Sequence, residues 1–389
     1  MKKLVSFRPG VIAHGTAFEA MALMYKYLQE HYGYEFTIVK SEDDVYDDPA
    51  FKIISIPRKV WKPLPYLPFF PMSWMNNRLL DSIFAQADGI LTVDPTTAYL
   101  QGLLAIRKAY RSGKPVWFDA SSTIMGTTGR TLNWKLKRRF LKEALQQTTG
   151  IIVTVPKCIE RFTDMGLFDE VVAPKFTVMG HPVDTTRFAL QPKLSEQDGI
   201  LRVLVISRLV PEKGLFYIIE AMTQLLQECN NIQLQILGSG PMKPLLEREV
   251  VERNLSESVI FLSPVPHADV SGILGSADIF VNHAIAVSRW EEFFGVANIE
   301  AMSCGLPCIL TRSGSIPYVI REKDVAVLVE ERNIAELREA ITQFVNSEQK
   351  RREMGKKARD YVKRHYALPV IAEKYHWMLQ HGFGLEDLQ

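Results

Sequence analysis

Short runs of β-branched and aromatic residues alternate along the whole chain with longer stretches in which apolar positions recur every three or four residues. Runs of this kind with few polar interruptions predict strands buried on both faces, and the periodic stretches between them predict the helices that cover those faces. In the first half the strand runs are LVSF (4–7), FTIV (36–39), KIISI (52–56), GILTV (89–93), PVWFDA (115–120), GIIVTV (150–155) and FTVMG (176–180). The second half repeats the plan with LRVLVI (201–206), IQLQIL (232–237), VIFL (259–262), IFVNHA (279–284), PCIL (307–310) and VAVLV (325–329). The pattern predicts an α/β chain of two doubly wound Rossmann-like domains facing a central cleft, where ligands meet the carboxyl ends of the strands. Between them HPVDTTRFALQPKLSEQDG (181–199) is polar, broken by two prolines and weakly periodic. The expected division is therefore an N-terminal domain over 1–181, a linker over 182–199 and a C-terminal domain over 200–366. A last helix over 367–389 is expected to pack back on the N-terminal domain.

Size and composition agree with that plan. At 389 residues the chain exceeds what one core usually serves, and 47% hydrophobic with 23% charged residues is ordinary globular composition. A net charge of +2 gives no global reason to expect nucleic acid. Four cysteines form no disulfide framework, which suits a reducing cytosol. Cys304 and Cys308 are four apart, but the turn Gly305-Leu306-Pro307 lies between them and no second ligand pair follows, so no metal is expected. The N-terminus reaches Pro9 and Gly10 before a long apolar run can form, so neither a signal peptide nor a transmembrane helix is expected.

The most informative stretch is EEFFGVANIEAMSCGLP (291–307), where Glu292 and Glu300 flank Phe294-Gly295 at the start of an apolar-periodic run. The first amides of such a helix have no intrahelical partner and suit a phosphate, while a carboxylate accepts well from vicinal hydroxyls. Together these features predict a site for a diphosphate with hydroxylated rings on both sides, the shape of a nucleotide-sugar. An amphipathic helix with a wet acidic face would account for the same residues without a ligand. In ISRLVPEKGLFYIIEAM (206–222), Arg208 and Lys213 stand at the carboxyl end of a strand, where two cations can hold a diphosphate without metal, or can simply be solvated loop charges. LGSGPMKPLLE (237–247) adds a glycine turn, Gly238-Ser239-Gly240-Pro241.

ISRL…EKG, then LGSGP, then E-x-F-G-x4-E-A-M-x-x-G-x-P follow one another at distances that resemble the retaining, nucleotide-sugar-dependent glycosyltransferases of the family-four type, which have the GT-B fold. The resemblance is specific from about Met179 to Glu330 and architectural before that, apart from the loop RPGVIAHGTAFEAM (8–21). It implies that Arg208 and Lys213 meet the donor diphosphate, Glu300 the ribose hydroxyls and Glu292 the transferred sugar. It further implies that the amides of Phe294, Gly295 and Val296, with Gly15, Gly238 and Gly240, line the donor site. The implied activity is transfer of a hexose-type sugar to a hydroxyl acceptor, with retention, without metal or other cofactor, in making a cell-surface polysaccharide or glycolipid. Three departures stand out. PVWFDASST (115–123) carries Asp119 and Ser121 where the family often has a histidine, which makes Asp119 a catalytic candidate beside His14 of the earlier loop. Ser263 replaces a usual glycine, and Tyr318 a common acid. Two other classes stay open, a non-catalytic sugar-nucleotide binder and a GT-B sugar-nucleotide epimerase.

For the acceptor side, PRKVWKPLPYLPFFPMSWM (57–75) holds five prolines among large apolar residues and predicts a long apolar loop. GRTLNWKLKRRFLKEAL (129–145) sets Lys135, Arg138, Arg139 and Lys142 on one helical face and Leu136, Phe140, Leu141 and Leu145 on another. Both segments fit peripheral contact with an anionic membrane and a lipid-linked acceptor, and equally a covering loop and a solvated basic face above a core stripe. A cytoplasmic place, at the inner face of the membrane, is expected.

Overall fold

The computed structural model describes residues 1–8, 16–56, 77–96, 100–120, 132–229, 231–288 and 290–381. The chain divides into two compact units, Met1–Gly180 with Ile371–Gln389, and His181–Val370.

In the first unit, parallel strands β1 (Lys2–Arg8), β2 (Tyr34–Ser41), β3 (Lys52–Ile56), β4 (Gly89–Val93), β5 (Val116–Asp119), β6 (Gly150–Val153) and β7 (Phe176–Val178) alternate with helices α1 (Thr16–Tyr32), α2 (Asn77–Gln86), α3 (Leu100–Arg111), α4 (Leu132–Gln147) and α5 (Lys157–Asp164). Among the described residues the sheet order is β3-β2-β1-β4-β5-β6-β7. Winding therefore reverses between β1 and β4, which are in register from Leu4 opposite Gly89 to Phe7 opposite Thr92. The apolar runs become strands because both faces are covered: Ile90, Leu91, Phe118, Ile151 and Val153 are buried.

The second unit opens with α6 (Ser195–Asp198) and continues β8 (Leu201–Ile206), α7 (Leu215–Glu228), β9 (Ile232–Leu237), α8 (Lys243–Glu252), β10 (Val259–Leu262), α9 (His267–Ser276), β11 (Ile279–Asn282), α10 (Val296–Ser303), β12 (Cys308–Thr311), α11 (Ile316–Val319), β13 (Val327–Val329), α12 (Ile334–Val345) and α13 (Glu348–His365). Its sheet order is β10-β9-β8-β11-β12-β13, so the reversal falls between β8 and β11. Val203 and Val205 of β8 pack with Ile218, Ile219 and Met222 of α7 and with Leu337, Ile341 and Phe344 of α12 in one buried cluster. α14 (Leu368–His381) follows, and its residues from Ile371 group with the first unit, where Tyr34 Oη meets His376 Nδ1 at 3.0 Å and Tyr32 stacks on the same imidazole.

Several boundaries differ from the sequence reading. β11 stops at Asn282 rather than at Ala284, because His283 turns out of the ladder and its Nε2 accepts the Arg332 amide at 3.0 Å. β13 begins at Val327, two residues late, after Asp324 takes the left-handed conformation at φ 63°. Residues 182–199, read as a linker, are fastened into the second unit: Val183 pairs with Ala367, and Phe188 is buried.

The apolar segment 57–75 lies outside the described residues, as do 129–131 of the basic stretch. On α4, Leu141 and Leu145 are buried while Arg138, Arg139 and Lys142 are exposed, with Lys142 paired to Asp169 at 2.9 Å. The helix thus carries a basic face above a core stripe. Among the described residues, no helix is long and apolar enough to cross a membrane.

Candidate functional site

The loops after β8 and β11 flank the point where the second sheet reverses, the usual ligand position in such sheets. After β8 the chain passes Arg208, and Pro211 opens a single 3-10 turn that ends at Lys213. Gly214 then adopts φ 61° to start α7. A Cβ on Gly214 would overlap the His283 carbonyl oxygen, so glycine is what lets the two loops close on each other. The turn delivers the Lys213 ammonium to the Glu292 carboxylate as an ion pair, 4.6 Å from the centre of the Trp290 ring. These side chains are only 13% and 11% exposed, so the pair is largely desolvated and its charges act through a poorly screening medium. Glu292 is held from behind as well, its carbonyl accepting the Ser315 amide at 2.7 Å.

Three residues further on, Gly295 caps α10 in the left-handed conformation, φ 72° and ψ 63°. It supplies no side-chain oxygen, so the amides that open α10 lack a side-chain cap and keep their partial positive charge for a ligand. Asn298, in the first turn, is fixed by the buried bond from Asn282 Nδ2 at 2.7 Å. The Phe294 ring is buried in edge contact with His181 and Tyr366, so Phe294 offers the site its backbone, not its ring. Val296 is half-buried at the helix start. Glu300, one turn deeper, is buried, and its Oε1 lies 2.7 Å from His267 Nε2.

The other candidates have surroundings of their own. Arg208 is 64% exposed and only loosely paired with Glu212 at 3.6 Å, unlike Lys213. Gly238 and Gly240 face the neighbouring loop: a Cβ on either would overlap the carbonyl oxygen of Ser207 or Leu209. Their lack of a side chain is accounted for by that packing, which the Leu209 amide reinforces by donating to Ser239 at 2.8 Å. Asp119 ends β5 in the first unit, beside Arg8, Tyr25 and Tyr375. Burial opposes the Arg8 charge, but Tyr25 and Asp119 outweigh it and hold the guanidinium above its usual value. Gly15 and His14 lie outside the described residues. Cys304 and Cys308 are buried, and burial pushes the Cys304 thiol up to about 12 and that of Cys308 well above its ordinary range, so neither offers a thiolate at neutral pH.

Sequence reasoning missed His267, Trp290 and His283. The first two carry a weak signal: His267 opens a helix just after a strand, and Trp290 adjoins the acidic pair. His283 is buried against the Lys213 loop, and burial pushes its imidazole down to about 4. Its Nε2 accepts from Arg332, so the proton sits on Nδ1, which has no hydrogen-bond partner among the described residues. The unfolded chain takes up a second imidazole proton near pH 6.5 and the folded chain only near 4, so stability falls as pH drops through that window. The expected loss from this group is on the order of 3 kcal/mol between pH 7.5 and 4. Urea unfolding of wild type and His283→Gln at pH 7.5, 6 and 5 checks it; equal slopes in the two proteins would contradict the assignment.

Comparison with known proteins gives the family and the fold that this chain resembles. Residues 187–361 match the family described as glycosyl transferases group 1. The chain is 26% identical over 346 residues to the GDP-mannose-dependent monoacylated alpha-(1-6)-phosphatidylinositol monomannoside mannosyltransferase of Corynebacterium glutamicum, covering 85% of this chain and 84% of that protein. It is 28% identical over 192 residues to the N-acetyl-alpha-D-glucosaminyl L-malate synthase of Bacillus anthracis, covering 49% of this chain and 48% of that one. Among solved structures, Anabaena HepE in complex with UDP superposes with a TM-score of 0.75 at 16% identity, covering 97% and 99% of the two chains. Sucrose-phosphate synthase of Thermosynechococcus elongatus gives a TM-score of 0.70 at 17% identity, covering 98% of each chain.

Proposed function

We propose that this chain, which belongs to the group 1 glycosyl transferases and has the GT-B fold, moves a hexose-type sugar from a nucleoside-diphosphate donor to a hydroxyl acceptor with retention of configuration. The observation that carries the proposal is the desolvated Lys213–Glu292 pair set beside the uncapped start of α10 at the switch point of the second sheet. Bond cleavage at the anomeric carbon leaves negative charge on the departing diphosphate. Lys213, Arg208 and the amides at Gly295 and Val296 are the groups to meet that charge, and no metal is then needed. Glu292 lies against the transferred sugar and Glu300 against the ribose. The leaving phosphate takes the acceptor's proton on the face it departs from, so no separate base is required there.

The acceptor in this proposal is lipid-linked. It is supported by the acceptor in the Corynebacterium relative's name, a phosphatidylinositol mannoside, and by the exposed basic face of α4, which suits an anionic membrane surface. The enzyme then works in the cytoplasm at the inner face of the membrane.

The test is thermal unfolding with UDP, GDP and ADP and their hexose conjugates, followed by turnover assays with the pair that binds. One nucleoside diphosphate is expected to stabilise the protein by roughly 2–3 kcal/mol at a hundredfold excess over its Kd, and Glu300→Ala to remove most of that gain. Turnover is expected to survive EDTA and to give product of the donor's anomeric configuration by NMR. Inverted product, or no stabilisation by any nucleotide, would refute the proposal. Donor binding without hydrolysis or transfer would mark a binder instead.

A further inference from the structure

We propose that His267 is a positioning residue for the donor, holding the Glu300 carboxylate in the orientation that selects ribose over deoxyribose; this rests on the assignment of Glu300 to the ribose hydroxyls. An ionised carboxylate can only accept hydrogen bonds, so at 2.7 Å His267 Nε2 carries the hydrogen and donates to Oε1. The bond is charge-assisted, and it freezes a long side chain that would otherwise sample several rotamers. With Oε1 engaged by the imidazole, Oε2 is the oxygen turned to a sugar hydroxyl.

His267 is itself held rigidly. It opens α9, its carbonyl accepts from the Arg187 guanidinium, and its ring lies 5.7 Å from that of Phe188. The Phe188 carbonyl in turn accepts from Ser303 Oγ at 2.7 Å and from Arg359 Nη1 at 3.0 Å. Ser303 is the last residue of α10, the helix that carries Glu300. A closed circuit results, from α10 through Ser303, Phe188 and His267 back to Glu300, so the carboxylate is aimed by the framework before any ligand arrives. Preorganisation of this kind is what makes a polar contact discriminate between a substrate with a hydroxyl and one without it.

The readout is the affinity ratio between ribo- and 2′-deoxyribonucleoside diphosphates, measured by titration calorimetry with UDP, GDP and ADP and their 2′-deoxy counterparts. Wild type is expected to prefer the ribonucleotide it binds by about tenfold or more, the size of one hydrogen bond to a charged group. Glu300→Gln should collapse that preference. His267→Ala should reduce it to about threefold or less, whereas His267→Gln, whose amide N–H can reach Oε1, should restore it. If His267→Ala proves poorly folded, His267→Asn, polar but too short to reach, takes its place. A His267 variant that keeps the wild-type ratio while Glu300→Gln loses it overturns the role of His267 and leaves the donor assignment standing. A wild-type ratio in Glu300→Gln overturns both.

Discussion

Lys213→Met is expected to lower kcat by about 10²- to 10³-fold, with donor KM changed by less than about tenfold. Methionine keeps an apolar stem against the Trp290 ring but removes the ammonium, so the variant tests charge rather than packing. If the ammonium neutralises the departing diphosphate, its effect grows as the bond breaks, and the loss falls on turnover more than on binding. The same substitution strands the Glu292 carboxylate, which is largely buried. Removing one partner of such a pair costs about 3–5 kcal/mol, because the remaining charge has lost its compensation. The double variant Lys213→Met/Glu292→Gln removes both charges and should recover most of that stability without recovering turnover. Urea unfolding and steady-state kinetics on wild type, Lys213→Met, Glu292→Gln and the double variant separate the two roles. Unchanged kcat in Lys213→Met would eliminate the leaving-group role, and turnover restored in the double variant would mean that Lys213 acts only by neutralising Glu292.

This pair also marks the limit of what the sequence discloses. The strands are legible because burial on both faces leaves few polar positions in runs such as GILTV and LRVLVI, which become β4 and β8 over those same residues. Ladder ends are less legible, since they depend on where a side chain finds a partner: His283 leaves β11 for the Arg332 amide, 49 residues away. Arg208 and Lys213 look alike in sequence, two cations in one loop. The 3-10 turn from Pro211 and the left-handed Gly214 direct one of them inward, and nothing does so for the other. Lys213 and Glu292 are 79 positions apart, and His267 and Glu300 33, so charges that read singly as ligand contacts prove to be bonded to each other. In Gly238 and Gly240 a pattern that suits a phosphate loop also meets a packing need, because the β8 and β9 loops run too close for a Cβ. Local pattern reports burial and turn chemistry well; it does not report which distant side chain has already claimed a charge.

The second large effect concerns the backbone under that charge. Gly214→Ala is expected to destabilise the second unit by about 3–4 kcal/mol and to depress turnover with it. Two costs combine. At φ 61° an alanine sits in the left-handed region, which costs about 1 kcal/mol. The remainder comes from overlap between the new Cβ and the His283 carbonyl, a backbone atom whose residue is buried and tied to the Arg332 amide, so it has little room to retreat. Whichever loop yields, Lys213 moves with it, and its alignment with Glu292 degrades. Gly272 provides the contrast within the same unit. It lies inside α9, where a Cβ would meet no side chain or other element within 4 Å among the described residues, so Gly272→Ala should stabilise by about 0.5–1 kcal/mol through helix propensity alone. Thermal melts of the two variants should therefore move in opposite directions, by several degrees down for Gly214→Ala and about 2–4 °C up for Gly272→Ala. A neutral Gly214→Ala would mean that the β8 and β11 loops are not locked together, and Lys213 could not then be held in place by the turn that carries it.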